Sequence, residues 1–431
     1  MTQQRDEATT SVNSGQPISP WPGFLTAYFG WVFDYFEVIF LSIALVAISQ
    51  ELGFGRGEIA LVLAVQLLSF GIGGLIFGRV SDQLGRKTAL QWSIILFAAA
   101  TLARAFTPNL TYLVVFSVVA GIGLGGEYGA GQSLVSETVK NRTRGKWSSF
   151  LYSGIFVGIM LGGIYGSTVL PAVGWRWSFA IVSAPVLLLL IARRWMRESE
   201  VWQREKDENG VASVRELLRP RFLRLVLLCV VTASLQLFAY YGITALMPSY
   251  LVLTAGFTLT AAAWWIFFTG VSGLCGATAA ALVIDRIGRR VTLSSFAALG
   301  AVSGAAVVLV WQFLDQNIPL AMVAFFFLYA AFGATASVFG SLFSEVFPTR
   351  VRGTGVSAAL QLARGASAGA PLIAGALYPI YGYLPLIIGG VVLLILLCAA
   401  AWAFPERTAQ SIATVAEERD EYGRQSAQGR L

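Results

Sequence analysis

The chain contains no histidine and only three cysteines, and charged residues make up 12% of its 431 positions, where soluble domains carry about 25%. The missing histidine excludes histidine catalysis, most metal chemistry and the side chain that titrates most readily near neutral pH. Any proton chemistry therefore falls to carboxylates. Cys229, Cys275 and Cys398 all lie in apolar runs, which argues against a disulfide framework or a zinc site. No cofactor or metal is implied. Residues 1–20 are polar with mixed charge, unlike a cleavable signal peptide, and are expected to form a cytoplasmic N-terminal tail.

What the chain has in quantity is apolar sequence, 56% of all residues. A helix needs about 20 mostly apolar residues to cross a bilayer. Segments of that kind fall at 22–49, 58–78, 88–106, 110–136, 147–170, 176–194, 222–247, 259–283, 292–312, 319–343, 354–379 and 383–404. Twelve spans put both termini on one side. Placing alternate loops inside gives the cytoplasm 26 of the 30 Lys and Arg residues, leaving Arg56, Arg104, Arg176 and Arg364 for the outer side or the membrane. The net charge of +7 is thus a topology signal and not a nucleic-acid footprint. The expected location is the cell (inner) membrane, with multiple passes and with residues 405–431 as a cytoplasmic C-terminal tail.

The sequence also repeats itself. "GRVSDQLGRK" (78–87) returns as "ALVIDRIGRR" (281–290), keeping Asp82/Asp285, Gly85/Gly288 and Arg86/Arg289 at an offset of 203. "SETVKNRTRG" (136–145) returns as "SEVFPTRVRG" (344–353) at an offset of 208, aligning Glu137 with Glu345 and Arg144 with Arg352. Each pair follows the second or fourth span of its half. Two like-oriented six-helix halves, 21–194 and 222–404, are joined by a charged cytoplasmic loop, 195–221. Parallel halves of this kind are a transporter architecture with the substrate site at their interface.

These motifs resemble the major facilitator superfamily over residues 21–404. "GRVSDQLGRK" is similar to that superfamily's loop signature. "GIGLGGEYGAG" (121–131), "GWRWSF" (174–179), "RESEVW" (197–202) and "SEVFPTRVRGTG" (344–355) look like its metabolite–proton symporters. "DYFE" in the first span is similar to the D-x-x-D/E of the aromatic-acid and sialate/carboxylate symporter groups. The resemblance implies an all-α integral membrane fold of twelve transmembrane helices in two pseudo-symmetric six-helix bundles. Three departures stand out. Ser117 occupies the place of the family's fourth-span Arg, four residues before the glycine-rich motif. Ile159 replaces the Pro of the antiporter signature in "GIMLGG" (158–163), which argues against drug–proton antiport. The histidine of the fungal-type monocarboxylate signature is absent.

Asp34 and Glu37, three residues apart in an apolar span, lie about 60° apart around a helix and are expected to face a cavity together. An ionised carboxylate at that depth costs a few kcal/mol or more, so the pair reads as a proton site, or as acids held permanently by hydrogen bonds or an arginine. Glu127 is either a further cavity acid or a structural hydrogen-bonding group between helices. Arg364, the only basic residue near the middle of a span, suits bidentate binding of a substrate carboxylate, or serves as counter-ion to Glu37 or Asp34. Arg104, near the end of its span, is expected to snorkel to the interface. Gln236, Tyr240, Tyr241, Tyr152 and Gln361 are candidate substrate-binding residues, with Gln66 and Trp264 as further cavity candidates. Asp82, Arg86, Asp285 and Arg289 form expected gating latches at the cytoplasmic edge, or are solvated turns carrying topology charges. Glu137, Arg144, Glu345 and Arg352 supply a second charge set at that face.

The reading that joins these features is a monomeric transporter importing a small organic acid anion with protons by alternating access. A sugar or neutral-metabolite symporter is the main alternative and a drug–proton antiporter a lesser one. A membrane enzyme lacks any nucleophile–base set.

Overall fold

The computed structural model describes residues 21–126, 144–194, 219–311, 318–347 and 352–404, and among them there is no strand. The helices are α1 (Trp21–Leu52), α2 (Arg56–Leu84), α3 (Arg86–Arg104), α4 (Leu110–Leu124), α5 (Arg144–Arg194), α6 (Pro220–Thr244) and α7 (Met247–Leu253). They continue as α8 (Leu259–Ile287), α9 (Arg289–Val310), α10 (Ile318–Val346), α11 (Arg352–Ala366), α12 (Gly369–Tyr381) and α13 (Leu384–Ala400), ending in a 3-10 turn, Ala401–Ala403. Among the described residues, eight stretches are long and apolar enough on their own to cross a membrane. The rest of the path consists of α3, α4, the second leg of α5 and the broken pair α11–α12.

α5 is two spans. Tyr165 donates from its hydroxyl to the carbonyl of Ser178 at 3.0 Å. A straight helix would separate residues thirteen apart by about 20 Å, so the chain reverses between them. It does so at Gly174, whose φ of 76° is open to glycine at little cost. Two other spans are interrupted where proline forbids continuation. Pro248 has no N–H to give the carbonyl four residues back, and the helix stops at Thr244 and restarts as α7. Pro371 does the same for the span holding Arg364, which breaks after Ala366 and resumes as α12.

The repeat is written into the backbone as well. Among the described residues, six glycines have positive φ and form three pairs: Gly53 with Gly256 and Gly85 with Gly288 at an offset of 203, and Gly174 with Gly382 at 208. Packing follows the same symmetry. In the first half α1 lies on α5, and α4 lies between α2 and α3. In the second half α6 packs on α11, and α10 packs on both α8 and α9. The halves meet through α2 against α11 and α12, and through α5 against α8, two contacts that a two-fold exchanges. At the first contact the backbones nearly touch. A Cβ on Gly71 would lie 2.7 Å from the Gln361 carbonyl oxygen and 2.8 Å from the Gly365 Cα. Small residues allow that approach, and close packing is what holds helices together in lipid.

The outer surface is apolar. Trp177 and Trp264 stand exposed toward the end where α1 finishes, and Trp92 and Trp402 toward the end where it starts, as two aromatic belts would. Trp264, expected in the cavity, is 48% exposed on this lipid-facing surface. Its position along the span gives depth, but the direction of its side chain follows the helix face.

Candidate substrate cavity and buried charge pair

Between the halves lies a cavity of about 20 Å³, room for about one water. The first half lines it with Tyr35, Tyr152, Ile155 and Phe156, and the second half with Gln236, Leu237, Tyr240, Tyr241, Phe332 and Ala336. Four of the predicted substrate residues, Gln236, Tyr240, Tyr241 and Tyr152, therefore share one site. The walls are interlocked rings: Tyr240 meets Tyr241 and Phe332 edge-on, with centroids 5.2 and 5.6 Å apart. Tyr35, which sequence reasoning passed over, lies inside "DYFE" itself.

Arg364 is buried one turn before the break between α11 and α12. Its Nη2 donates to the Tyr35 hydroxyl at 3.0 Å and its Nη1 to Gln361 Oε1 at 3.3 Å. The guanidinium also lies 4.2 Å from the centre of the Phe70 ring, which supports the plane of the fork. Gln361 is not among the residues lining the cavity. It reaches across the halves to donate from Nε2 to the Gly125 carbonyl at 3.1 Å, tying α11 to the end of α4.

Of the first-span acids, Glu37 has its partners within the first half. Glu37 is 0% exposed and ion-paired to Arg104, itself 0% exposed, while Gln66 Nε2 donates to its other oxygen at 3.0 Å. Both partners come from the first half, so Glu37 faces α2 and α3 and not the cavity between the halves. The cavity-facing side of α1 at this level is that of Tyr35, about 160° around the helix from Glu37. Arg104 is thus not an interfacial residue. It is the last residue of α3 but turns inward, with the Phe179 ring 6.0 Å away. Arg364 is not the counter-ion of Glu37. Asp34, one turn nearer the start of α1, is buried.

Both ends of the molecule are tied across the halves. At the end where α1 begins, Asp285 accepts from the Lys146 backbone N–H at 3.1 Å. That N–H is one of the first-turn donors of α5 left without a partner inside its own helix. Asp285 also pairs with Arg289 at 2.9 Å, and Arg289 with Glu345 at 2.9 Å. Ser149 Oγ donates to the Ser337 carbonyl at 3.2 Å nearby. At the opposite end Arg56 donates to Thr254 Oγ1 at 2.9 Å and lies 4.8 Å over the Tyr378 ring, while Thr254 and Tyr378 are hydrogen-bonded to each other. Among the described residues, contacts between the halves are thus present at both ends of the molecule. Asp82, Arg86, Arg144 and Arg352 sit at helix ends, but their side chains are outside the described residues, as are Glu127 and Glu137 entirely.

Two helical bundles related by a two-fold, an apolar belted surface and a cavity at the interface define a multi-pass membrane transport protein. The chain belongs to the Major Facilitator Superfamily, whose family model matches residues 23–370. It is 30% identical over 364 residues to a probable 4-methylmuconolactone transporter of Cupriavidus pinatubonensis, covering 82% of this chain and 83% of that one. It is 28% identical to a cis,cis-muconate transport protein of Acinetobacter baylyi, over 82% of this chain and 86% of that one. Among solved structures, the proton:xylose symporter XylE shares the fold with a TM-score of 0.73 at 19% identity, over 92% of this chain and 98% of that one.

Proposed function

We propose that this protein imports a small organic acid anion with protons, alternating between states open to either side. The observation that carries this reading is Arg364, a buried arginine on a broken helix whose fork is bonded to a residue of the inter-half cavity. Arg104 already neutralises Glu37, so Arg364 is not needed for that acid. A planar, doubly donating cation at such a place suits a carboxylate. Relatives named for muconate and for a methylmuconolactone fit that chemistry.

The proton half of the cycle rests on Asp34 and Glu37. A proton on Glu37 would cancel its charge and weaken its hold on Arg104 and Gln66, loosening α1 from α2 and α3. With the start of α1 in the cytoplasm, the Asp285–Arg289–Glu345 set and the α5 N-terminus form the inner latch, and Arg56, Thr254 and Tyr378 the outer one. Asp82, Arg86, Glu137, Arg144 and Arg352 belong to the same inner face in this scheme, and Glu127 remains a further candidate acid. The protein acts as a monomer, since each chain holds both halves of its own site.

One observation favours a neutral solute instead: every side chain lining the cavity is uncharged. Equilibrium binding to purified protein separates the two. A panel of small carboxylic acids is compared with their primary amides. Acids that bind while their amides do not support the anion reading, and equal binding of both would overturn it in favour of a neutral substrate.

A further inference from the structure

Gln236 is 2% exposed on α6 and lines the cavity. Its amide can be oriented from its surroundings. The nearby Phe332 carbonyl can only accept, so the Gln236 nitrogen faces it, at 3.4 Å. That leaves Oε1, which is fully buried and has no hydrogen-bond partner among the described residues. A buried carbonyl oxygen without a donor is costly, so one that lines a cavity between the halves points to a donor carried by what the cavity receives. The rest of the lining does not satisfy it. Ile155, Phe156, Leu237, Phe332 and Ala336 carry no donor, and none of the four cavity tyrosines bonds to it.

We infer that Gln236 is a specificity-determining residue that accepts a hydrogen bond from an O–H or N–H carried by the substrate in addition to its carboxylate. This rests on the anion reading, which places the carboxylate on the Arg364 and Tyr35 side, and it goes further by requiring a second polar group, a donor. The substrate class is therefore a hydroxy- or amino-substituted acid with an apolar or aromatic body to fill the ring-lined walls. Sites built to bond a substrate hydroxyl reject the analogue that lacks it far more strongly than apolar pockets reject a misfit, because the protein's polar group is left unpaired.

The test uses purified full-length protein and ring acids as probes: 3- and 4-hydroxybenzoate against 3- and 4-fluorobenzoate, where fluorine fills the space of the hydroxyl but donates nothing. Wild type is expected to bind at least one hydroxy acid about tenfold or more tighter than its fluoro partner. Gln236→Leu is expected to bind the two alike, with the hydroxy acid falling to the level of the fluoro acid and the melting temperature in detergent unchanged. The wild-type comparison needs no variant, so a poorly folded Gln236→Leu protein would not spare the inference. Equal wild-type binding of hydroxy and fluoro acids, both weakened by Arg364→Lys, would overturn the role of Gln236 while leaving the anion reading standing. Full discrimination retained by Gln236→Leu would also overturn it. Binding of the amides but of no carboxylate would remove both.

Discussion

At the scale of single residues, the account turns on two arginines that do different work. Arg104 holds Glu37 with both side chains fully buried. Removing one member of such a pair leaves a bare charge, so Arg104→Leu should destabilise the protein by about 3–5 kcal/mol. The double variant Glu37→Gln, Arg104→Leu should recover most of that loss. Thermal unfolding in detergent and the amount of protein in the membrane check both. Arg364→Lys keeps its charge but loses the planar fork and its stack on Phe70, and substrate binding should weaken by roughly 1.5–3 kcal/mol with the melting temperature unchanged. Buried acids in the first span were legible because charge in an apolar run is conspicuous. The partner of Glu37 was not. Arg104 stands at the end of its span, and sequence position gives depth while saying nothing about which way a long side chain turns.

At the scale of helices, the repeat motifs identified which loops are equivalent but not which of them touch. Glu345 and Arg352 were expected in a second charge set at this face; Glu345 pairs with Arg289 from the other signature, and the Arg352 side chain lies outside the described residues. The two motifs of the second half thus meet in one charge set, joined to the first half by the α5 N-terminus through Asp285. Asp285→Asn should loosen this latch without touching the cavity. The turnover rate should change severalfold while equilibrium affinity stays the same, and a binding assay run beside a transport assay would show it. At the α2–α11 contact, Gly71→Leu should push the helices apart because its Cβ alone already meets the Gln361 backbone. Lost thermal stability and lost transport should appear together there. The break at Pro248 could be read only once the seventh span was known to continue past 247, whereas the eleventh, 354–379, already ran past Pro371 and its break there was not read.

At the scale of the whole molecule, twelve apolar segments, a basic bias to alternate loops and two offsets were enough to read a two-bundle transporter from sequence. All of these are long-range regularities that a bilayer imposes. The cavity was less legible, because it is assembled by azimuth: Tyr35 and Phe70 look like ordinary packing aromatics until α1 and α2 are set against α11. Asp34→Asn should abolish accumulation of substrate while leaving exchange across the membrane, since exchange needs no net proton movement. The most direct test of the central claim is uptake of a labelled carboxylate that binds the purified protein. The protein is reconstituted in sodium-free vesicles, with a proton gradient imposed from the side opposite the α1 N-terminus. Proton symport predicts accumulation above equilibrium that collapses when a protonophore is added; accumulation undiminished by the protonophore would contradict it.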